Sequence, residues 1–224
     1  MNKLCESCGT ELITSTKSCL ECGETQTLAM TAGETVPSAE YHASINLERV
    51  VVFPDKSLEY AVRKALEKPV DQIIRRDFMG LSDLFCVGKE IRDLSGLEQA
   101  HDLTLLNSSD NHLSDISPLA SLTNLTGLFL GYNEIRDINP LASLTNLRRL
   151  HLGDNLISDL NPLESLTSLN WLYLRANDII DIGPLRALTN LTYLGLSSNP
   201  LNKKGFDVHV PSLRAKGVVV QITM

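Results

Sequence analysis

The residues most able to do chemistry are four cysteines near the start of the chain. They form two knuckles, Cys5-x-x-Cys8-Gly9 and Cys19-x-x-Cys22-Gly23, with ten residues between them. In each knuckle the C-x-x-C spacing lets one tight turn aim two thiolates at one ion, and the following glycine bends without a side-chain clash. Four thiolates suit tetrahedral zinc in a closed structural site. The competing readings are a redox or disulfide pair, and iron in a tetrathiolate site, for which the short spacer leaves little chain to build an aromatic shell. The fifth cysteine, Cys86, stands alone. That distribution suits one metal site better than a disulfide framework. The expected ligands are therefore Cys5, Cys8, Cys19 and Cys22, and the expected cofactor is structural Zn2+.

The knuckle pattern resembles a minimal zinc ribbon spanning residues 1–26. A ribbon this short is folded only by its metal. Lys3 and Lys17 are its only basic residues, against Glu6, Glu11, Glu21 and Glu24. Protein docking or a structural role is expected over nucleic-acid contact. Residues 27–48, rich in Thr, Ala, Ser and Glu, read as a flexible linker.

Other chemistry is sparse. The five histidines are scattered, with none beside a Cys or Ser in a triad motif. No acid/base pair stands out, so no enzyme activity is expected. The net charge of −7 disfavours phosphate-rich partners. No apolar run is long enough to span a membrane, and the start, Met1 to Cys8, lacks the apolar core of a leader. The expectation is a cytoplasmic, monomeric protein without a membrane partner.

What must position any site is a repeat. From Leu81 onward the pattern recurs every 22 residues, with Leu103, Leu125, Leu147, Leu169 and Leu191 opening successive copies. One copy reads LTGLFLGYNEIRDINPLASLTN and the next LRRLHLGDNLISDLNPLESLTS. Such self-similarity marks stacked supersecondary units. L-x-x-L-x-L predicts a short strand, with Leu128 and Leu130 inward and Gly127, Phe129 and Gly131 on the other face. Asn111, Asn133, Asn155, Asn177 and Asn199 follow at the bend, where a buried amide can pair stranded backbone groups. Asp93, Asp115, Asp137, Asp159 and Asp181 recur on the return side and read as solvated residues or local backbone partners. Pro118, Pro140, Pro162 and Pro184 fit the first position of a short helical turn. Cys86 takes a core leucine position and reads as a small buried hydrophobe.

The period, together with D-I-x-P-L, L-T-N-L, the lead-in FPDKSLEYAVRKAL (53–66) and the exit VPSLRAKGVVV (210–220), resembles the bacterial internalin-type leucine-rich repeat. The resemblance implies an α/β solenoid with parallel strands on its concave face and short or 3-10 turns on the convex side. A helical N-terminal cap would occupy 49–80, the repeats 81–200 and a C-terminal cap 201–224. In the cap, Asp55 should cap a helix whose stripe is Leu58, Val62, Ala65 and Leu66, stopping near Pro69; Asp71 to Phe78 would add a second short helix. Phe206, Val210 and Leu213 mark a C-terminal helix, ended by Gly217 and followed by a final strand at Val218–Val220. The first copy is degenerate, with Lys89 in place of Asn and Gly96 in place of Pro. Secreted internalins bind host surface proteins through the concave face. Without a leader or a surface anchor in view, host-cell binding is not carried over.

The concave face is nonetheless the candidate site. Aromatics are only 5% of the chain, yet Phe85, Phe129, Trp171, Tyr173 and Tyr193 all map there, with His151 among them and Arg149 and Arg175 flanking. Exposed aromatics with arginine are interface chemistry; the competing reading is that they only stack to stabilise the sheet. The expected function is a protein-interaction module using this face. A secreted or surface adhesin, and a nucleic-acid-associated regulator acting through the ribbon, are the alternatives.

Overall fold

The structure is a computed structural model, and it describes residues 47–223. The four cysteines, the zinc expected there and most of the expected linker lie outside the described residues. Residues Arg49–Met224 make up one compact unit.

Seven parallel strands form one sheet in sequential order. They are β1 (Asp83–Phe85), β2 (Leu105–Asn107), β3 (Gly127–Phe129), β4 (Arg149–His151), β5 (Trp171–Tyr173), β6 (Tyr193–Gly195) and β7 (Val219–Gln221). The register steps by 22 residues from β1 to β6, so Leu84, Leu106, Leu128, Leu150, Leu172 and Leu194 align in one inward row. All six are buried. The return side is built of short 3-10 turns, such as Ser117–Ser121 and Asn139–Ser143. Pro118 and Pro140 are the second residues of these turns, and the Asp two residues ahead of each turn's first residue supplies an acceptor: Asp137 Oδ1 accepts from the Asn139 N–H at 2.9 Å. Asp115, Asp159 and Asp181 make the equivalent bond, so the Asp column is local backbone pairing.

The asparagine column is the spine. Asn155 Nδ2 donates to the carbonyls of Leu130, Leu152 and Gly153, and its Oδ1 accepts from the Ile135 N–H at 3.0 Å. Asn111, Asn133 and Asn177 repeat this pattern and are likewise buried. Each Asn thereby ties its own repeat to the preceding one. The residue just ahead of it leaves the strand with positive φ: Asp110 (58°), Tyr132 (57°), Asp154 (57°), Ala176 (50°) and Ser198 (61°). Non-glycine residues resist that conformation, so the amide bonds hold the bend.

At the N-terminal end, α1 (Lys56–Ala65) is capped by Asp55, whose Oδ1 accepts from Ser57 and Leu58 N–H groups. Its Oδ2 accepts from the Arg92 and Asp93 N–H groups of the first repeat, so one carboxylate joins cap and solenoid. The buried stripe is Leu58, Ala61 and Val62. Ala65 faces solvent instead, because α1 ends there and the chain departs at Leu66. The second expected helix is shorter than Asp71–Phe78: only Arg75–Phe78 forms a 3-10 turn, since Ile74 is held extended by a bridge to Val50. Gly96, at the degenerate position, has φ +103°, and a Cβ there would lie 2.7 Å from the Phe53 ring. The cap's phenyl ring thus occupies the space a side chain would need. At the far end a π-helical turn (Gly205–His209) leads into α2 (Val210–Ala215), and Gly217 (φ +86°) turns the chain into β7.

Candidate functional site

Alternation sends the non-leucine strand residues to the concave face, and the register decides which of them meet. Trp171 aligns with Arg149 on one side and Tyr193 on the other; Tyr173 aligns with His151 and Gly195. The rings form one connected cluster. Trp171 lies 5.8 Å from Tyr173 and 5.6 Å from Tyr193, within 7° and 9° of parallel. His151 stacks 4.8 Å from Tyr173 and sits 6.1 Å from Trp171, while Phe129 closes the cluster 6.4 Å from Trp171.

Small residues make room for these rings. A Cβ at Gly195 would stand 2.5 Å from Tyr173 Cδ2, and one at Gly153 would stand 2.9 Å from its Cδ1. A Cβ at Gly131 would collide with the His151 ring. The rings therefore lean over the neighbouring strands, and each of the five is only partly exposed. Tyr193 is further pinned, its hydroxyl donating to Gln221 Oε1 on β7. Burial, with Tyr173 adding to it, raises the Tyr193 hydroxyl above its ordinary pKa. Neither Gln221 nor the glycine notches stood out in the sequence; the notches were visible only as gaps in the outward columns.

Two members of the expected set sit differently. Phe85 is 64% exposed and makes no ring contact with the others among the described residues. It lies on β1, with Asn107 between it and Phe129 in the register. Arg175 is not a free flank: its guanidinium lies 3.6 Å from the carboxylate of Asp154. Asp154 is the positive-φ residue just after β4. Arg149 remains exposed beside Trp171, with no ion pair among the described residues.

Burial lowers the pKa of His151, against the opposing pull of the Asp154 carboxylate. Cys86 is fully buried, its thiol pushed up by desolvation, as its core position requires. Among the described residues no group of three or more His, Cys, Asp or Glu side chains could hold a metal ion, and no helix is long and apolar enough to cross a membrane.

Residues 102–143 and 123–165 match the family described as leucine rich repeats in two copies. Residues 102–165 thus match leucine-rich repeats. Among solved structures, an internalin (inlF) from Listeria monocytogenes is 30% identical with a TM-score of 0.61, covering 76% of this chain and 56% of that one. An internalin C2 (inlC2) from the same organism is 24% identical, with a TM-score of 0.55, covering 77% of this chain and 95% of that one; it shows the fold alone. The chain spans 56% of the length of the first internalin. A search of curated protein sequences finds no match. The solenoid is internalin-like, with a parallel sheet and short 3-10 turns.

Proposed function

We propose that this chain is a protein-interaction module that holds a partner segment across β4 to β6 of its concave sheet, and that it is not an enzyme. The observation that carries the reading is the joined cluster of Trp171, Tyr173 and Tyr193, near-parallel and open on one side, with the unpaired Arg149 at its border. Rigid aromatic anchors supply large contact area at low cost in side-chain entropy, and arginine beside them favours an acidic or aromatic-rich segment. Phe129 and His151 extend the platform, Arg175 borders it while paired with Asp154, and Phe85 forms a separate contact at the N-terminal end. The likeness to internalins supports a binding role for the solenoid. In this reading the N-terminal cysteines hold structural zinc and the protein works in the cytoplasm.

The test is capture from the native lysate by the parent and by Trp171→Ala/Tyr173→Ser, with Thr145→Ala on the turn side as control. The double variant should lose partners that the control keeps. Retrieval of the same partners by both would remove the concave face from the proposal. The likeness to internalins favours one other reading, a surface adhesin; fractionation that places the protein outside the cytoplasm would select it.

A further inference from the structure

The sheet ends on β7, the last strand in its order. The Val219 N–H donates to the Thr192 carbonyl, and the Gln221 carbonyl accepts from the Leu196 N–H. In a parallel ladder alternate residues serve opposite neighbours, so Val219 and Gln221 face β6 and the backbone of Val220 faces outward. Among the described residues no strand lies on that side. What reaches it is α2. The Leu213 carbonyl accepts from the Val218 N–H at 3.1 Å, and the Arg214 guanidinium donates to the Val220 carbonyl at 3.1 Å. A side chain thus stands where a neighbouring strand would donate. The two faces of this edge differ. Val219 is 63% exposed on the concave side, aligned with Tyr193. On the other side Val220 belongs to the core, into which α2 packs Val210 and Leu213. The charge around the edge is also distinct. From Leu201 to Met224 the chain carries Lys203, Lys204, Arg214 and Lys216 against Asp207 alone, a formal +3 on a protein of net charge −7. Lys203 pairs with Asp207, whereas Arg214 and Lys216 are exposed and make no ion pair among the described residues.

We propose that the outer edge of β7 is a strand-addition site for an acidic, extended peptide segment of a partner, with Arg214 as its gate. The segment lies beside β7 and exchanges backbone hydrogen bonds with the N–H and carbonyl of Val220. Arg214 leaves that carbonyl and pairs with a carboxylate of the segment, which replaces a neutral acceptor with a charged and stronger one. Alternation along a strand sets the pattern of the segment. Residues on the concave side are β-branched and pack beside Val219, as cross-strand neighbours do. Residues between them are acidic and face α2, with Arg214 and Lys216. Main-chain bonds supply affinity in such an arrangement, and the alternate side chains supply specificity. Charge decides the occupant. A second copy paired edge to edge would bring one +3 cap against another, whereas an acidic segment complements it. Edge strands that are simply shut carry lysine or proline on the strand itself. The three residues of β7 are Val219, Val220 and Gln221, so the closure here is a side chain that can swing away.

This edge lies beyond the Trp171 cluster and needs no partner on the concave face, so the two readings fail separately. Fluorescein-labelled Val-Glu-Val-Glu-Val is titrated with the full-length protein and followed by anisotropy, with Val-Lys-Val-Lys-Val as the control. The acidic peptide should bind saturably, and more weakly as salt screens the cap. The basic peptide should not bind. Arg214→Glu should weaken the acidic peptide by about tenfold or more, as reversal of a complementary charge does. A second readout needs no substitution, which covers a variant that fails to fold. In the parent, saturating peptide should slow hydrogen exchange at the Val220 N–H, the donor that the added strand would occupy. Absence of saturable binding, equal binding of the basic peptide, or an unchanged affinity in Arg214→Glu would overturn the proposal. So would binding that leaves Val220 exchange unaltered and shifts the Tyr173 and His151 resonances instead, which would put the segment on the concave cluster. A free protein that sediments as a dimer with its Val220 N–H already protected would give the edge to a second copy, and the proposal would fall.

Discussion

Tyr173 occupies the space that a side chain on Gly195 would need, its Cδ2 only 2.5 Å from the position of the missing Cβ. The two residues are register partners on β5 and β6. A bare backbone at one strand therefore sets the tilt of an aromatic ring on the next, and that ring in turn positions Trp171 and His151.

Gly195→Ala should therefore push the Tyr173 ring out of its notch and perturb the stack. Overpacking of this kind costs about 1–3 kcal/mol. Thermal denaturation should show the loss, and Trp171 emission should shift with it. Adding Tyr173→Ala should relieve part of the penalty, because the two residues share one space and their effects are not additive. Strictly additive losses would show that the ring does not lean on Gly195.

Replacing Asn155 or Asn177 with leucine should destabilise the solenoid by about 3 kcal/mol, since several buried backbone groups lose their partner at once. Asn155 serves the carbonyls of two adjacent repeats and an N–H of the earlier one. Urea unfolding checks the size of the effect. An unchanged midpoint would remove the amide column from the list of what holds the repeats in register.

The Asp55 carboxylate carries a pH signature. Burial works to raise its pKa, but hydrogen bonds from the Arg92, Leu58, Asp93 and Ser57 N–H groups outweigh burial and hold it below the reference value of 3.8. A group depressed on folding contributes stability above its unfolded pKa and loses it as pH falls through the folded value. Asp55→Ala should cost about 1–2 kcal/mol at neutral pH, as loss of a helix cap does. The gap between variant and parent should close as the pH drops below about 4. A gap that stays constant to strong acid would contradict the assignment.

The cysteine module makes a separate prediction. Protein purified under reducing conditions should carry one zinc per chain, which elemental analysis measures, and replacing Cys19 and Cys22 with serine should abolish it. Among the described residues the repeats and caps have a buried apolar core of their own, running from Phe53 to Val220, within the compact unit Arg49–Met224. Chelation should therefore leave the main thermal transition in place. Metal-free protein under those conditions would end the zinc reading.

The repeat was legible in the chain because its constraints are local. Leucines at fixed spacing must fill one core, the Asn must serve the bend, and each copy restates the other; the register and inward row of β1 to β6 follow from the period alone. The Asp column on local backbone follows the same logic, whereas the final strand, expected at Val218–Val220 from the exit segment after Gly217, forms one residue later at Val219–Gln221. The site was legible only in part. Alternation placed Trp171, Tyr173, Tyr193, Phe129 and His151 on one face, but how rings meet depends on side-chain tilt, which the glycines at 131, 153 and 195 set from neighbouring strands. Arg175 reads as a free cation in the sequence, but stacking of the neighbouring repeat puts the Asp154 carboxylate 3.6 Å from it. Gln221 meets the Tyr193 hydroxyl from 28 residues away, and Asp55 reaches 37 residues forward to Arg92. Such pairings arise where separate turns of the solenoid and its caps are stacked, and no pattern within one repeat encodes them.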